Sequence, residues 1–217
     1  MDIGYWIQLL SLYAIPAVLA ITLHEAAHGY AAKRLGDLTA YQEGRITLNP
    51  VKHIDLIGTL VVPAVLLFAT GGKIAFGWAK PVPVNFAALN NPKRDMLWVA
   101  AAGPGANLVM AIGWALIFKM NLIAPEHYFS SPLFEMSKGG ILINLVLMVL
   151  NLIPVPPLDG GRIAISALPH AIAYKLAKLE PYGLLIIMLL MVSGVLGSFM
   201  YPILGSIIGV LSFVFGI

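Results

Sequence analysis

The sequence predicts an all-α polytopic membrane protein, and three observations point to this class. Hydrophobic residues make up 59% of the 217 residues and charged residues only 11%, whereas a soluble domain carries about 25% charged residues. The mean hydropathy is +0.89. Apolar runs also recur along the chain, several of them close to the roughly 20 residues that a bilayer crossing needs. We expect one membrane-embedded domain over residues 1–217, surrounded by the lipid bilayer.

Composition also narrows the possible ligands and partners. The net charge is a modest +3, and the basic residues cluster on one side of the membrane, as argued below, so no nucleic-acid partner is expected. The chain has no cysteine, which excludes disulfides and thiolate metal ligands. A bound metal ion must therefore be held by histidine, aspartate or glutamate. The sequence leaves the oligomeric state open.

The first apolar run, residues 3–35, contains the sequence HEAAH at residues 24–28. On a helix, residues four apart lie on one face, so His24 and His28 can bind one metal ion. Glu25 lies about 100° around the helix from His24, within reach of a metal-bound water, where it can act as a general base. Ionisable groups are costly in so apolar a segment and are usually functional there. The alternative, core histidines beside a solvated glutamate, is therefore weak.

Two stretches after this run are predicted as short β-strands. Residues 44–50 alternate apolar and polar side chains and end in Asn-Pro. Residues 76–85 carry two prolines on one edge, which is typical of an edge strand. The apolar run between them, residues 56–70, is short for a crossing and has a central proline, so we expect a re-entrant hairpin. His53, just before it, is either a structural residue or part of the site.

The third and fourth apolar runs, residues 96–118 and 139–153, each lead to a polar candidate. Asn107, in the third run, either links helices or belongs to the site. The fourth run ends in NLIPVPPLDGGR, residues 151–162, where turn residues surround a single carboxylate. The helix must unwind there, which leaves Asp159 free to approach a metal. Because the histidine pair lacks a third ligand, Asp159 is the strongest candidate for it.

The C-terminal part of the chain is predicted to be structural. Residues 162–180 form a short interfacial helix, and the fifth and sixth apolar runs, residues 182–199 and 201–216, pack against the core or contact lipid. We divide the domain into a catalytic core, residues 5–162, and C-terminal helices, residues 182–216.

The shared metal site decides the predicted topology. One ion cannot be shared across a bilayer, so His24, His28 and Asp159 must lie on the same side. This requires the run at 56–70 to return to its own side, which gives five crossings. Of the 13 Lys and Arg residues, only Lys119 and Lys138 then lie on the opposite side, which is therefore outside. We expect a multi-pass protein of the cell membrane, with the N-terminus outside and the site and the small β-strand element toward the cytoplasm.

These motifs together resemble the site-two proteases, the intramembrane zinc metalloproteases of peptidase family M50. The resemblance rests on H-E-x-x-H at residues 24–28, on Gly-Pro-x-x-Asn at residues 103–107 and on residues 151–160, and it covers most of residues 20–162. It points to the small form of the family, without a PDZ or CBS domain.

The resemblance implies a function and a role for each motif residue. His24, His28 and Asp159 would bind one Zn²⁺ per chain, and Glu25 would activate the attacking water. The reaction would be hydrolysis of a peptide bond within or near the transmembrane helix of a membrane-protein substrate. The residues that the resemblance implies for holding or positioning that substrate are Asn151 and Asn107. Pro154, Pro156 and His53 are further candidates for this role.

Two other functions remain open from the residues alone. A metal-ion or proton transporter would also use intramembrane His, Glu and Asp side chains. However, all candidate ligands lie near one face, and the sequence has no inverted repeat. An inactive, protease-like scaffold is the second alternative, although all four residues needed for the chemistry are present.

Overall fold

All regular structure among the described residues is helical. The structure is a computed structural model that describes residues 3–71, 77–124 and 130–217. A π-helical turn, Leu56–Val61, leads directly into α3. Short 3₁₀ turns lie at Pro50–Lys52, Phe86–Ala88 and Glu180–Tyr182. The α-helices are α1 (Ile3–Arg34), α2 (Thr39–Gln42), α3 (Val62–Ala69), α4 (Pro92–Ile123), α5 (Ser130–Asn151), α6 (Asp159–Ala167), α7 (His170–Ala177), α8 (Gly183–Val192) and α9 (Val195–Phe215).

Helices α1, α4 and α5 form the centre of the molecule. Helix α4 packs against α1, α5 and α6, and α9 covers α5. Small residues bring the helices close: a Cβ on Gly140 of α5 would overlap the indole of Trp114 of α4, and one on Gly139 would overlap the Tyr13 ring of α1. Glycine at such contacts lets helix backbones approach within membranes. The buried centre of α5, including Leu145, therefore lies against its neighbours and not against lipid.

The local sequence explains how the central helices begin and end. Helix α4 starts with Pro92, whose fixed φ suits the first helical turn. The Asp95 carboxylate in that turn accepts the N–H of Asn91 at 2.7 Å. Helix α1 ends with Lys33 and Arg34 in its last turn, where cations interact favourably with the free carbonyl groups. The C-terminus of α1 and the N-terminus of α4 lie at the same end of the bundle.

The prediction of five crossings is wrong. Among the described residues, three helices are long and apolar enough to cross a membrane: α4, α5 and α9. The second half of α1 carries the ionisable residues of the HEAAH motif. The fifth apolar run divides at Gly194, whose φ of 78° ends α8 and caps α9. Helix α8 keeps only 10 residues, about 15 Å, against roughly 30 Å of hydrocarbon.

The predicted β-strand element is also wrong, because the described residues contain no strand. Residues 77–85, which we call the strap, are extended, and residue 76 of the prediction lies outside the described residues. The N–H groups of the strap bond to separate elements. Trp78 donates to Gly58 at 3.0 Å and Lys80 to His53 at 2.9 Å, while Val82 donates to a side chain of α1. A ladder with one neighbouring strand is therefore not formed.

The beginning of the apolar segment before α3 lies against the strap. The backbone contact of Trp78 with Gly58 is reinforced by the Thr59 hydroxyl, which donates to the Trp78 carbonyl at 2.9 Å. A Cβ on Gly58 would overlap the Trp78 indole. Gly58, near the start of the segment, is therefore fixed against Trp78 of the strap.

Candidate active site

The two histidines of α1 meet the first carboxylate of α6. The Nε2 atoms of His24 and His28 are 3.1 Å apart, and each lies 3.3 Å from Oδ2 of Asp159. Both histidines are buried. These are the three residues that the sequence predicts as a metal site, and the described residues contain no other group of three with this geometry.

The ring nitrogens that face away from Asp159 fix the orientation of both imidazoles. His28 Nδ1 lies 2.7 Å from the carbonyl oxygen of Val99 on α4. Since a carbonyl only accepts, His28 carries a proton on Nδ1, and the neutral ring then has its lone pair on Nε2. His24 Nδ1 lies 2.6 Å from Oδ1 of Asn107. Hydrogen bonds of this kind are the usual outer partners of metal-binding histidines.

This arrangement fits a metal ion. With Nδ1 protonated in each ring, two nitrogen lone pairs and a carboxylate oxygen converge without a proton between them. Asp159 Oδ2 is buried and has no hydrogen-bond partner in the described part of the chain. Such a cluster is repulsive unless a cation lies within it. Two imidazoles and one carboxylate form a catalytic zinc donor set, which leaves a fourth position open.

Gly103 makes room for the two imidazoles. A Cβ at this position would overlap the rings of both His24 and His28. Glycine therefore lets α4 approach α1 closely enough for Asn107, one turn further on, to reach His24. This gives the Gly-Pro-x-x-Asn motif a structural reason.

Asp159 is placed by the close packing of the residues on either side of it. A Cβ on Gly160 would overlap the Leu152 carbonyl, and one on Gly161 would overlap the Pro156 backbone. The loop between α5 and α6 therefore folds tightly over the first turn of α6. Only glycine at both positions allows this contact.

The other predicted positioning residues lie around this loop. Asn151, half-buried, donates to Leu147 O of its own helix at 3.0 Å. Pro154 is exposed, while Pro156 is buried. Their contact with a substrate stays a prediction.

Glu25 is held by the backbone of the strap. Its Oε2 accepts the N–H of Val82 at 2.7 Å. Because Val82 lies between Pro81 and Pro83, this is the single N–H group of the three residues. Gly29 allows the approach, since a Cβ there would come within 3.1 Å of Val82 Cγ1. The sequence predicted Val82 only as part of an edge strand, and not as the residue that holds Glu25.

Arg45 holds the strap from the other side. Its Nη2 donates to the carbonyls of Lys80 at 3.0 Å and Pro81 at 3.1 Å. The side chain is only 8% exposed, and no carboxylate pairs with it among the residues described. A buried arginine that bonds only to backbone acts as a structural clamp. The sequence gave no sign of this role, because Arg45 lies in a polar stretch where a charged residue is common.

Asp37 anchors the end of the strap to the C-terminus of α1. Its Oδ2 accepts the Asn85 N–H at 2.7 Å, and its Oδ1 accepts the Thr39 N–H and hydroxyl. Burial raises the pKa of Asp37, but these three hydrogen bonds outweigh it and hold that pKa below its usual range.

His53 belongs to the supports of the strap. It is buried, with Nε2 at 2.9 Å from the Thr47 carbonyl oxygen, and its own carbonyl accepts the Lys80 N–H. The group of three metal-site residues does not include it, and its predicted role toward substrate stays a prediction.

An apolar groove of about 390 Å³ runs along α1 beside the motif. Its walls come from α1, from the segment 46–48 and from α4. Its lining residues are Leu23, Ala26, Ala27, Tyr30, Ile46, Thr47, Leu48 and Ala106. The groove therefore follows the face of α1 that carries Ala26 and Ala27 of the motif.

A buried His-His-carboxylate centre with an adjacent glutamate, set among apolar helices, defines a membrane-embedded metallohydrolase. The comparisons with known proteins specify the family. The model of peptidase family M50 matches residues 122–194. The Bacillus subtilis (strain 168) protein named "Putative zinc metalloprotease YwhC" is 38% identical over 206 residues, which are 93% of this chain and 90% of that protein.

More distant relatives agree. The Mycolicibacterium smegmatis protein named "Putative zinc metalloprotease Rip2" is 29% identical over 86% of this chain and 68% of its own length. Its namesake in Mycobacterium tuberculosis (strain H37Rv) is 27% identical over the same shares. No solved structure matches the chain. The chain belongs to peptidase family M50, the site-two proteases, which confirms the resemblance seen in the sequence. It is a membrane-embedded metallopeptidase that acts on protein substrates.

Proposed function

We propose that the protein is an intramembrane zinc metallopeptidase in which His24, His28 and Asp159 bind one zinc ion and Glu25 is the general base. It hydrolyses a peptide bond within or near the transmembrane helix of a membrane-protein substrate. The relatives named as zinc metalloproteases support the choice of metal. The observation that carries the proposal is the convergence of two Nε2 lone pairs and one carboxylate oxygen within 3.3 Å.

The chemistry divides between the ion and the side chains. A zinc ion at this centre supplies a Lewis acid that acidifies water and polarises a carbonyl group. Glu25 takes the proton of the attacking water and delivers it to the leaving amine. The Val82 N–H holds Oε2 of Glu25, so Oε1 is free to receive the proton.

The substrate must reach the centre with its backbone exposed. A transmembrane helix hides its carbonyls in internal hydrogen bonds, so its segment must first unwind. The apolar groove along α1 suits an unwound, apolar segment. The proposed positioning residues are Asn151, at the end of α5, and Pro154 and Pro156, in the loop before Asp159. Asn107 and His53 are further candidates.

We place the protein in the cell membrane with the active site toward the cytoplasm. Basic residues gather at the site end of the bundle: Lys33 and Arg34 end α1, Lys93 and Arg94 begin α4, and Arg162 lies on α6. Cytoplasmic flanks of membrane helices are enriched in such residues. Residues 1–217 act as one domain, with residues 5–162 as the catalytic core and residues 182–216 as C-terminal helices.

Cleavage by the purified protein tests this function. The full chain is reconstituted in liposomes with a panel of single-span membrane proteins tagged at both ends. We expect zinc-dependent cleavage inside or near a span by the wild type, and none by Glu25→Gln, which keeps its zinc. Loss of the base should slow the reaction by about 10²–10⁴-fold. Equal cleavage by Glu25→Gln would remove Glu25 as the base, and zinc binding without cleavage of any panel member would favour a scaffold or transporter.

A further inference from the structure

Asn144 is a buried polar residue in the middle of the apolar helix α5. Its exposure is 0%, and it lies where α1, α4 and α5 meet. A polar side chain within a bundle of apolar helices is costly unless its hydrogen bonds are complete. Asn144 reaches both its own helix and the site: Nδ2 donates to the Gly140 carbonyl at 2.8 Å, and Oδ1 accepts from Asn107 Nδ2 at 3.0 Å.

These contacts have only one consistent direction. The Gly140 carbonyl can only accept, so the amide nitrogen of Asn144 must face it. The amide oxygen of Asn144 then faces Asn107, which must present its own nitrogen there. Asn107 Nδ2 also lies 3.3 Å from the Ala20 carbonyl oxygen, which again only accepts. Asn107 Oδ1 is therefore left for His24.

The direction fixes the protonation of His24. Asn107 Oδ1, at 2.6 Å, can only accept, so His24 must carry its proton on Nδ1. In the neutral ring, Nε2 then has a free lone pair. We propose that Asn144 is a positioning residue which, through Asn107, holds His24 in the Nδ1–H tautomer and keeps Nε2 available to a metal ion. The presence of that ion rests on the proposed function, whereas the tautomer of His24 does not depend on it.

The two histidines differ in how they are held. His28 donates to a backbone carbonyl, that of Val99, which no substitution removes. His24 depends on two side-chain amides, and an amide can turn over. The Nδ1 hydrogen bond of His24 therefore depends on side chains that can be substituted, whereas that of His28 depends on the backbone.

Removing Asn144 should release this control. In Asn144→Leu, the amide nitrogen of Asn107 loses its 3.0 Å acceptor and keeps only the longer contact with the Ala20 carbonyl. If the amide turns over, its nitrogen faces His24 Nδ1, which must then accept, and the imidazole proton moves to Nε2. Loss of the outer partner of a metal-binding histidine typically weakens metal affinity about 10–100-fold.

The proposal is tested by the zinc affinity of the full chain in detergent. This affinity is measured by competition with a chromophoric chelator. We expect Asn144→Leu to bind zinc about 10–100-fold more weakly than the wild type. Two matched controls lie on α5. Ser137→Ala removes a buried hydroxyl that bonds only to its own helix, and Leu145→Ala removes a fully buried side chain. Both should keep wild-type affinity, although Leu145→Ala should melt at a lower temperature.

A compensating variant distinguishes a relay from a general loss of packing. Asp at position 107 offers His24 an acceptor oxygen whichever way it turns, so Asn107→Asp combined with Asn144→Leu should recover most of the zinc affinity. Unchanged affinity in Asn144→Leu, an equal loss in Leu145→Ala, or no recovery in the double variant would overturn the proposal. If Asn144→Leu does not fold, Asn144→Ala is tested against the same outcomes.

Nitrogen-15 solid-state NMR of the metal-free protein gives a readout that does not depend on zinc binding. Histidine-labelled wild type should show His24 protonated on Nδ1, and Asn144→Leu should shift this signal toward the Nε2–H form, with His28 unchanged. The same His24 tautomer in both proteins would overturn the proposal. A wild type with the expected tautomer but without zinc affinity would instead refute the proposed function and leave the relay intact.

Discussion

Gly103→Ala should destroy the metal site while leaving the fold in place. A Cβ at Gly103 would lie 2.6 Å from Nε2 of His24, whereas ordinary contacts begin at 3.4 Å, so that imidazole must recede by about 0.8 Å. His28 is crowded by the same atom. Metal–ligand distances tolerate only about ±0.2 Å. We therefore expect zinc affinity to fall by at least about 100-fold, the upper end of the loss for an outer partner.

The effect on folding should be much smaller. Overpacking costs about 1–3 kcal/mol, and replacing a helical glycine by alanine returns up to about 1 kcal/mol. Gly105→Ala, on the same helix, is the matched control, since a Cβ there has no neighbouring atom within 4 Å. Zinc affinity by chelator competition and thermal unfolding in detergent are measured for both variants. Wild-type zinc affinity in Gly103→Ala, or an equal loss in Gly105→Ala, would refute the role assigned to this glycine.

Three further predictions concern the strap. Val82→Pro removes the N–H that holds Glu25 and should lower kcat about 10–100-fold with zinc content unchanged, because a hydrogen bond to a charged group is worth about 1.5–3 kcal/mol. Val82→Ala is the control, since it keeps the N–H. An equal loss of kcat in Val82→Ala would rule out the hydrogen bond as the cause. Arg45→Met leaves two strap carbonyls without a donor and should lower the free energy of unfolding by about 1–3 kcal/mol. Denaturation in detergent measures this change, and an unchanged free energy of unfolding would contradict the role of Arg45 as a clamp. Because the pKa of Asp37 is lower in the folded protein, its stabilisation is complete above the unfolded value of about 3.9 and disappears as the pH falls through the folded value. Asp37→Asn should therefore lower Tm at pH 7, with a gap from wild type that closes on acidification; a gap independent of pH would contradict this account.

The sequence was sufficient to predict that His24, His28 and Asp159 lie together, because the signals for these residues are local. The spacing of His24 and His28 places them on one helix face, and the turn residues around Asp159 reveal a carboxylate at a helix break. The structure brings all three together. Asn144 had a visible signal, a lone amide in an apolar run, but its partner depends on how three helices meet, which no local pattern encodes.

The fold was less predictable, for physical reasons that particular residues show. Hydropathy measures how apolar a run is and not where its helix ends, so the break at Gly194, set by a positive φ, was missed. The strap has the alternation and prolines of an edge strand. Its N–H groups nevertheless find acceptors on α1 and on the segment before α3, and extended backbone becomes a strand only when one neighbouring chain supplies the partners.

The metal content of the purified wild type beside Asp159→Ala tests the central claim most directly. Elemental analysis of the detergent-solubilised full chain should give about one zinc per chain in the wild type, since three protein ligands complete one catalytic site. Asp159→Ala should contain clearly less, because one of the three converging donors is gone. Equal zinc in both proteins would contradict the joining of α1 and α6 in one metal centre, and with it the catalytic roles assigned here.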